Sequence, residues 1–337
     1  MVDLPLLAKL VQALPAAAKL ILLGDRDQLT SVEAGAVLGD ICGTAALDVF
    51  SGAFLGQLSI ITGDNWQVTL RPGGSVLQDC LVPLQHSYRF SGDSGIGRVS
   101  AAVCNGEGST VISLLKTGSW DDIVWRGDRE CGFLSFLSER VMSGLQDYLH
   151  AVAAGDVLTA FALLERFRIL CVLRRGPRGV EALNSNIEGL LTSRGLIEPG
   201  RRWYPGRPVL IARNDYQQRL FNGDVGIIMP DPDSGGELRA FFREPTAGLR
   251  KFLPLRLPEH ETVYAMTVHK SQGSEFDRVL LILPDQDAPL LTRELIYTGL
   301  TRAKHFVEIW GAEEILRLAV NRRIVRTSGL RDALWGE

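Results

Sequence analysis

Apolar positions along the chain follow two rhythms, one helical and one alternating, and the change between them divides it. Residues 2–14 place Leu or Val at 4, 7, 10, 11 and 14, the spacing of a single helical face. Pro15 ends or kinks that helix. The apolar run 20–23 then predicts a buried strand that stops on Gly24-Asp25, with Gln28 in the polar turn behind it. Residues 32–38 and the Gly-rich stretch to Gly63 predict helix and loops, residues 81–90 a strand-like run, and residues 108–115 a short strand. Residues 131–153 and 156–166 turn helical, and 168–174 predicts a core strand closed by Gly176-Pro177, with a helix starting near Gly179. Two more apolar runs, 263–266 and 279–283, flank a polar connection at 267–275, and 294–311 reads as a helix followed by the strand 306–310. Helices alternating with buried strands predict an open α/β sheet.

The rhythm changes between Trp203 and Leu257. Short β-type runs at 209–212, 225–229 and 238–242 alternate with turn signals at Asn222-Gly223, Asp231-Pro232 and Ser234-Gly235-Gly236. Several strands in so short a stretch predict a small β-barrel inserted into the α/β domain.

Composition narrows the class. Hydrophobic residues make up 46% and charged residues 22%, which suits a globular protein and excludes large-scale disorder. No apolar run approaches the ~20 residues of a membrane helix, and the first residues are amphipathic, unlike a signal sequence, so a cytoplasmic location without a membrane partner is expected. Cys42, Cys80, Cys104, Cys131 and Cys171 are widely spaced, and the histidines form no cluster with them, so reduced thiols and no metal site are expected. The net charge of −3 conceals an asymmetry: residues 161–229 hold eleven Arg and no Lys against six acids, a balance of +5. A locally basic surface of that kind can follow a phosphate backbone, or its arginines can be paired at the surface.

Chemistry concentrates on the connection at 267–275. Gly273 lets backbone approach a ligand, and Thr267, His269, Lys270, Ser271 and Gln272 supply donors suited to phosphate oxygens. In the next helix Thr298, Thr301 and Arg302 stand at i, i+3 and i+4, on one face, and a guanidinium there can stabilise charge on a transferred phosphoryl group. Arg89 sits between two aromatics, an arrangement open to either a stacking or a ligand-binding use.

MTVHKSQGSEF at 266–276, followed by YTGLTRAK at 297–304, resembles motifs V and VI of superfamily 1 helicases, and the wording is similar to the RecD family, the alpha subunits of exodeoxyribonuclease V. GDRDQL at 24–29 resembles motif III and SYRF at 87–90 motif IV. The resemblance implies RecA-like, P-loop-NTPase-type motor lobes, a partial first and a complete second, with an SH3-like β-barrel inserted. The implied boundaries are 1–80 for the first lobe, 81–196 and 261–337 for the second, and 197–260 for the barrel. It also implies an ATP-dependent 5′-to-3′ DNA helicase that works in double-strand-break repair with RecB and RecC subunits and uses ATP and Mg²⁺. Gln28, Arg89 and Arg302 would act on the nucleotide in catalysis, with Gly24, Asp25, Gly273 and Glu275 also beside it. Thr267, His269, Lys270, Ser271, Arg213, Asn214 and Asn222 would touch single-stranded DNA. No G-x-x-x-x-G-K-[ST] phosphate loop or Walker B acidic pair occurs in these 337 residues. The expectation is therefore that the chain lacks an N-terminal portion and has no ATPase activity by itself. A stand-alone RecD-like helicase and a non-catalytic module binding single-stranded DNA or subunits remain the alternatives.

Overall fold

The computed structural model describes residues 2–29, 37–43, 50–64, 76–84, 87, 89–128, 132–244, 248–324 and 329–335. They fall into two compact units, Met1–Tyr88 with Ile324–Glu337, and Arg89–Arg323.

The first unit opens with helix α1 (Leu4–Ala13), where Asp3 caps the Leu6 amide at 2.7 Å and a proline occupies the first turn. Helices α2 (Val37–Cys42) and α3 (Gly52–Thr62) follow, α3 starting at the Ser51 cap. The predicted strand at 20–23 does not form. Leu20, Ile21, Leu22 and Leu23 are exposed, and among the described residues no strand lies beside them to take their amides and carbonyls, without which an extended segment has no ladder. Nor do the described residues of 81–90 form a strand. Gln85, His86 and Tyr88 of that run lie outside the described residues, as do 32–36 of the helix predicted at 32–38 and Cys131 of the helix predicted from 131.

The second unit begins with helices α4 (Gly95–Asn105) and α5 (Gly108–Thr117), strand β1 (Ile123–Arg126), helices α6 (Phe133–Ala153) and α7 (Val157–Leu164), strand β2 (Phe167–Cys171) and helix α8 (Val180–Ser193). Strands β3 (Arg207–Ile211), β4 (Val225–Asp231), β5 (Glu237–Glu244), β6 (Gly248–Phe252) and β7 (His260–Thr262) form the insertion. Strands β8 (Ala265–Thr267) and β9 (Phe276–Ile282), helix α9 (Arg293–Leu300), strand β10 (Ala303–Trp310) and helix α10 (Glu313–Asn321) complete it. Residues 108–115, expected as a strand, belong to α5: Gly108, Val111 and Ile112 are its buried residues, at i, i+3 and i+4.

The order β1-β10-β9-β2-β8 makes an all-parallel sheet, so the unit is mixed α/β. Helices cover it, which is why β2 and β9 read as near-continuous apolar runs. Edge strand β8 is sealed by a side chain. Asn184 of α8 donates to the Ala265 carbonyl at 3.0 Å and accepts the Ala265 amide at 2.9 Å, supplying both groups that a neighbouring strand would give.

The insertion is a five-stranded antiparallel sheet, β6-β5-β4-β3-β7, in which no pairing among the described residues joins β6 to β7, where a small β-barrel was expected. Alternation assigns its faces. Ile228, Ala240 and Phe242 form the insertion's own core, whereas Ile227, Met229 and Phe241 join the main core of the unit. The seam is fixed by two buried tyrosines, since Tyr148 and Tyr264 both donate to the Gly206 carbonyl, at 2.8 and 3.0 Å. Burial raises both phenol pKa values well above the usual range.

Helix α11 (Leu330–Trp335) returns to the first unit. Trp335 donates to the Asp40 carbonyl at 3.0 Å, and its ring lies so close to Gly43 that an added Cβ would fall 2.7 Å from it. Residues 324–337 and 81–88 therefore cluster with the first unit, where the sequence boundaries gave them to the second lobe.

Candidate functional site

The connection at 267–275 starts at the carboxyl end of β8 and finishes at the amino end of β9. Register shows this, because Thr267 and Ile282 both stand level with Cys171 of β2, and Phe276 therefore lies six residues back along the sheet. Motif chemistry expected at one edge is thus split between two.

At the amino edge three of the nominated residues converge. Arg89 donates from Nη2 to Glu275 Oε1 and from Nη1 to the Thr301 carbonyl at the end of α9. Arg302 donates from Nε to the Thr298 carbonyl and from Nη1 to the Ser274 carbonyl, both at 3.2 Å, while its own carbonyl accepts the Phe276 amide at 2.9 Å. The two arginines differ in access. Arg302 is 4% exposed, whereas the Arg89 side chain is 29% and that of Glu275 40% exposed. Helix α9 ends at Leu300, so Thr301 and Arg302 lie just beyond the helix and not on its face. Arg302, expected as a finger aimed at a phosphate, here braces the 274–275 backbone, and Arg89 is the accessible cation. Arg168 stiffens the same edge: fully buried, it donates to the Val263 carbonyl and lies 5.1 Å from the Phe276 ring centroid, and burial pulls its pKa down to about 10.

At the carboxyl edge Thr267 Oγ1 accepts the Lys270 amide at 3.3 Å and caps the turn. Lys270 Nζ lies 2.7 Å from Glu261 Oε1 on β7, and Arg174 Nη2 lies 3.3 Å from the other oxygen of the same carboxylate. Ser271 is fully buried and donates to the Val268 carbonyl at 2.8 Å, so its hydroxyl shapes the loop and is turned away from any external phosphate. His269 is half-buried. Gly273 has φ +83°, a left-handed conformation that favours glycine. Glu261 was missed from sequence because its tie to Lys270 is tertiary. The basic stretch is partly neutralised, with Arg174 and Arg175 on Glu181, Arg178 on Asp128 and Arg201 on Glu198.

Two further groups were nominated. In the first unit Asp25 accepts the Asp27 amide at 3.0 Å and Gln28 Nε2 at 2.9 Å, a self-capped polar turn beginning at Gly24. In the β3–β4 loop Asn214 donates to Tyr216 OH at 3.3 Å and accepts the Asn222 amide at 2.8 Å, while Arg213 is exposed.

Known proteins resemble this chain in both halves. A family profile described as the UvrD-like helicase C-terminal domain matches residues 262–309, and one described as an AAA domain matches residues 1–51. The RecBCD enzyme subunit RecD of Mycobacterium tuberculosis is 38% identical over 332 residues, 98% of this chain and 51% of that protein. The ATP-dependent RecD2 DNA helicase of Deinococcus radiodurans is 30% identical over 170 residues, 50% of this chain and 23% of that protein. The Bacteroides Pif1 helicase, solved with ADP-AlF3 and ssDNA, aligns at 15% identity with a TM-score of 0.31, covering 59% of this chain and 52% of that one. The chain spans about half the length of the RecD subunit it matches. Along nearly all of its own length the chain is similar to the RecD subunits of RecBCD enzymes, and the stretch that carries the motif V and VI resemblance is the one that the UvrD-like helicase C-terminal profile matches.

Proposed function

We propose that the Arg89–Arg323 unit is the second motor lobe of an ATP-dependent 5′-to-3′ DNA helicase subunit that works with RecB and RecC in double-strand-break repair, with an SH3-like module inserted in it. The observation that carries this reading is the convergence of Arg89, Glu275 and Arg302 at one sheet edge, through the Thr301 and Ser274 carbonyls. Two guanidiniums and an exposed carboxylate fit contacts to a triphosphate and a ribose hydroxyl, respectively. The phosphate cradle and Mg²⁺ ligands are not among these 337 residues, and Gln28 is assigned the sensing of the γ-phosphate. When bound, ATP supplies the free energy for movement. Arg302 sits on the Ser274 carbonyl, so exchanging that carbonyl for an anion would shift the 274–275 segment. The same loop carries Thr267 and Lys270 at its other end, which couples the nucleotide edge to the DNA edge by differential contacts in two states.

Unwinding of a 5′-tailed duplex by the complete helicase subunit containing these residues tests the assignment. Arg89→Ala is expected to lower the rate by about 10³-fold, the scale of a lost finger arginine, while single-strand binding persists. Unwinding at the wild-type rate would remove Arg89 from the mechanism. The 337-residue chain alone is expected to show no DNA-stimulated ATP hydrolysis. Failure to co-purify with RecB and RecC would favour a stand-alone helicase of the RecD2 kind.

A further inference from the structure

Helix α8 buries an apolar stripe, Val180, Leu183, Ile187 and Leu191, and sets one polar residue, Asn184, among them. Asn184 is 6% exposed, and a buried amide is costly unless both its ends are paired. Both are paired on a single residue, with the carbonyl and the amide of Ala265. Glu181 and Glu188 stand beside Asn184 on the helix surface, at i−3 and i+4. Glu188 Oε1 accepts the Tyr204 hydroxyl at 2.8 Å and the Thr262 hydroxyl at 3.2 Å. Burial raises the Tyr204 phenol pKa above its usual range, so that hydroxyl stays protonated and donates. Thr262 Oγ1 in turn accepts from Arg207 Nε on β3 at 3.1 Å. Glu181 meets Arg174, which shares the Glu261 carboxylate with Lys270.

These contacts land on one piece of chain. Strand β7 of the insertion passes into β8 of the parallel sheet with only Val263 and Tyr264 between them. The three ties differ in weight. Arg174 and Glu181 are 62% and 53% exposed, an ion pair that solvent screens to little, whereas Asn184 is buried and Glu188 half-buried. Strand β8 needs that support, because it is three residues long and pairs with β2 alone. Without Asn184 both backbone groups of Ala265 on its outer edge would be left unpaired. Lys270 lies three residues beyond the end of β8, so a shift of the strand passes directly to its ammonium.

We infer that Asn184 and Glu188 are positioning residues for the Lys270 loop: α8 fixes the strand that carries the loop, and fixes the inserted sheet to the same strand through Thr262. A side chain that meets a phosphate does so reproducibly only where its own support is locked. The inference rests on the single-strand reading above and adds no DNA contact to it, since both residues act through Lys270.

A double-mutant cycle tests it, with equilibrium binding of oligo(dT) by the complete helicase subunit containing these residues as the readout. Asn184→Ala is expected to weaken binding about tenfold, within the range of coupled side chains, and to have no further effect once Lys270 is replaced by Ala. Losses that multiply in the double variant would overturn the positioning role, because a general loosening of the fold acts whether or not Lys270 is present. Glu188 decides the matter if Asn184→Ala fails to fold. Glu188→Ala should weaken binding in the same Lys270-dependent way, while Glu188→Gln, whose amide oxygen can accept both hydroxyls, should stay within about twofold of wild type. Equal deficits in the two Glu188 variants would overturn the hydrogen-bonded tie. If Lys270→Ala weakens binding and neither Asn184→Ala nor Glu188→Ala does, the single-strand reading stands and this inference falls. If Lys270→Ala leaves binding unchanged, both fall.

Discussion

Lys270 and Glu261 form an ion pair at 2.7 Å between the motif V loop and the edge strand of the antiparallel sheet. Arg174 shares the carboxylate, so Glu261 already occupies, within the protein, the position of an anion between two cations. A DNA phosphate reaching Lys270 must compete with it. Glu261→Gln is therefore expected to tighten single-strand binding by about two- to fivefold, the scale of one half-exposed ion pair, and to steepen the log–log salt dependence by about one counterion. Fluorescence anisotropy across a salt series measures both. Unchanged or weaker binding would mean that Lys270 does not contact the backbone, or that Glu261 positions it.

The α/β alternation around β2, β8, β9 and β10 was legible because strands covered on both faces are written as continuous apolar runs. The insertion was legible from its short β-type runs and the turn signals between them, although β4 and β5 bury both faces, one in the insertion's own core and the other in the main core. Residues 20–23 carry the same signature as β9 and yet form no strand, because an apolar run states only what a segment would bury, and the partner that completes a ladder is not written in it. Arg302 was recognisable as a special residue, but its depth was not. That depends on the Ser274 and Thr298 carbonyls, and backbone acceptors leave no trace in side-chain letters.

Arg302 and Arg89 should separate in stability before they separate in function. Arg302→Ala strands two carbonyls that now receive charged donors, at a cost of about 2–3 kcal/mol. Arg89→Ala removes a partly exposed side chain and should cost less than about 1 kcal/mol. Urea unfolding of the two variants provides the comparison. Equal midpoints would show that the buried guanidinium contributes no more than the accessible one.

The antiparallel sheet should weaken in acid through Asp231. Lys251 Nζ, 2.7 Å away, is the largest cause of a carboxyl pKa below the usual range, and hydrogen bonds from Ser234 and the Asp233 amide add to it against the opposing effect of desolvation. A depressed folded-state pKa stabilises fully above the unfolded value of about 4, and that contribution is lost as pH falls through the folded value. Thermal unfolding of the wild type between pH 6 and pH 3 should therefore fall more steeply than that of Asp231→Asn, which starts lower and has less to lose. Parallel pH profiles would remove the Asp231–Lys251 pair from the acid response.

The exposed run at 20–23 offers a last check, independent of any ligand. No described residue forms a backbone hydrogen bond with residues 19–24, α1 has no buried residue, and the apolar core described for the first unit consists of Leu29, Val37 and Leu55. Amides at 20–23 should accordingly exchange with deuterium at close to unfolded-chain rates. Those of Ile169, Leu170, Leu280 and Leu281, paired in the parallel sheet and at most 1% exposed, should open only with global unfolding. Peptide-resolved exchange under native conditions distinguishes these. Protection at Leu22 matching that at Leu281 would mean that the run has found a strand partner after all, and the exposed segment would have to be redrawn as the buried strand its pattern predicts.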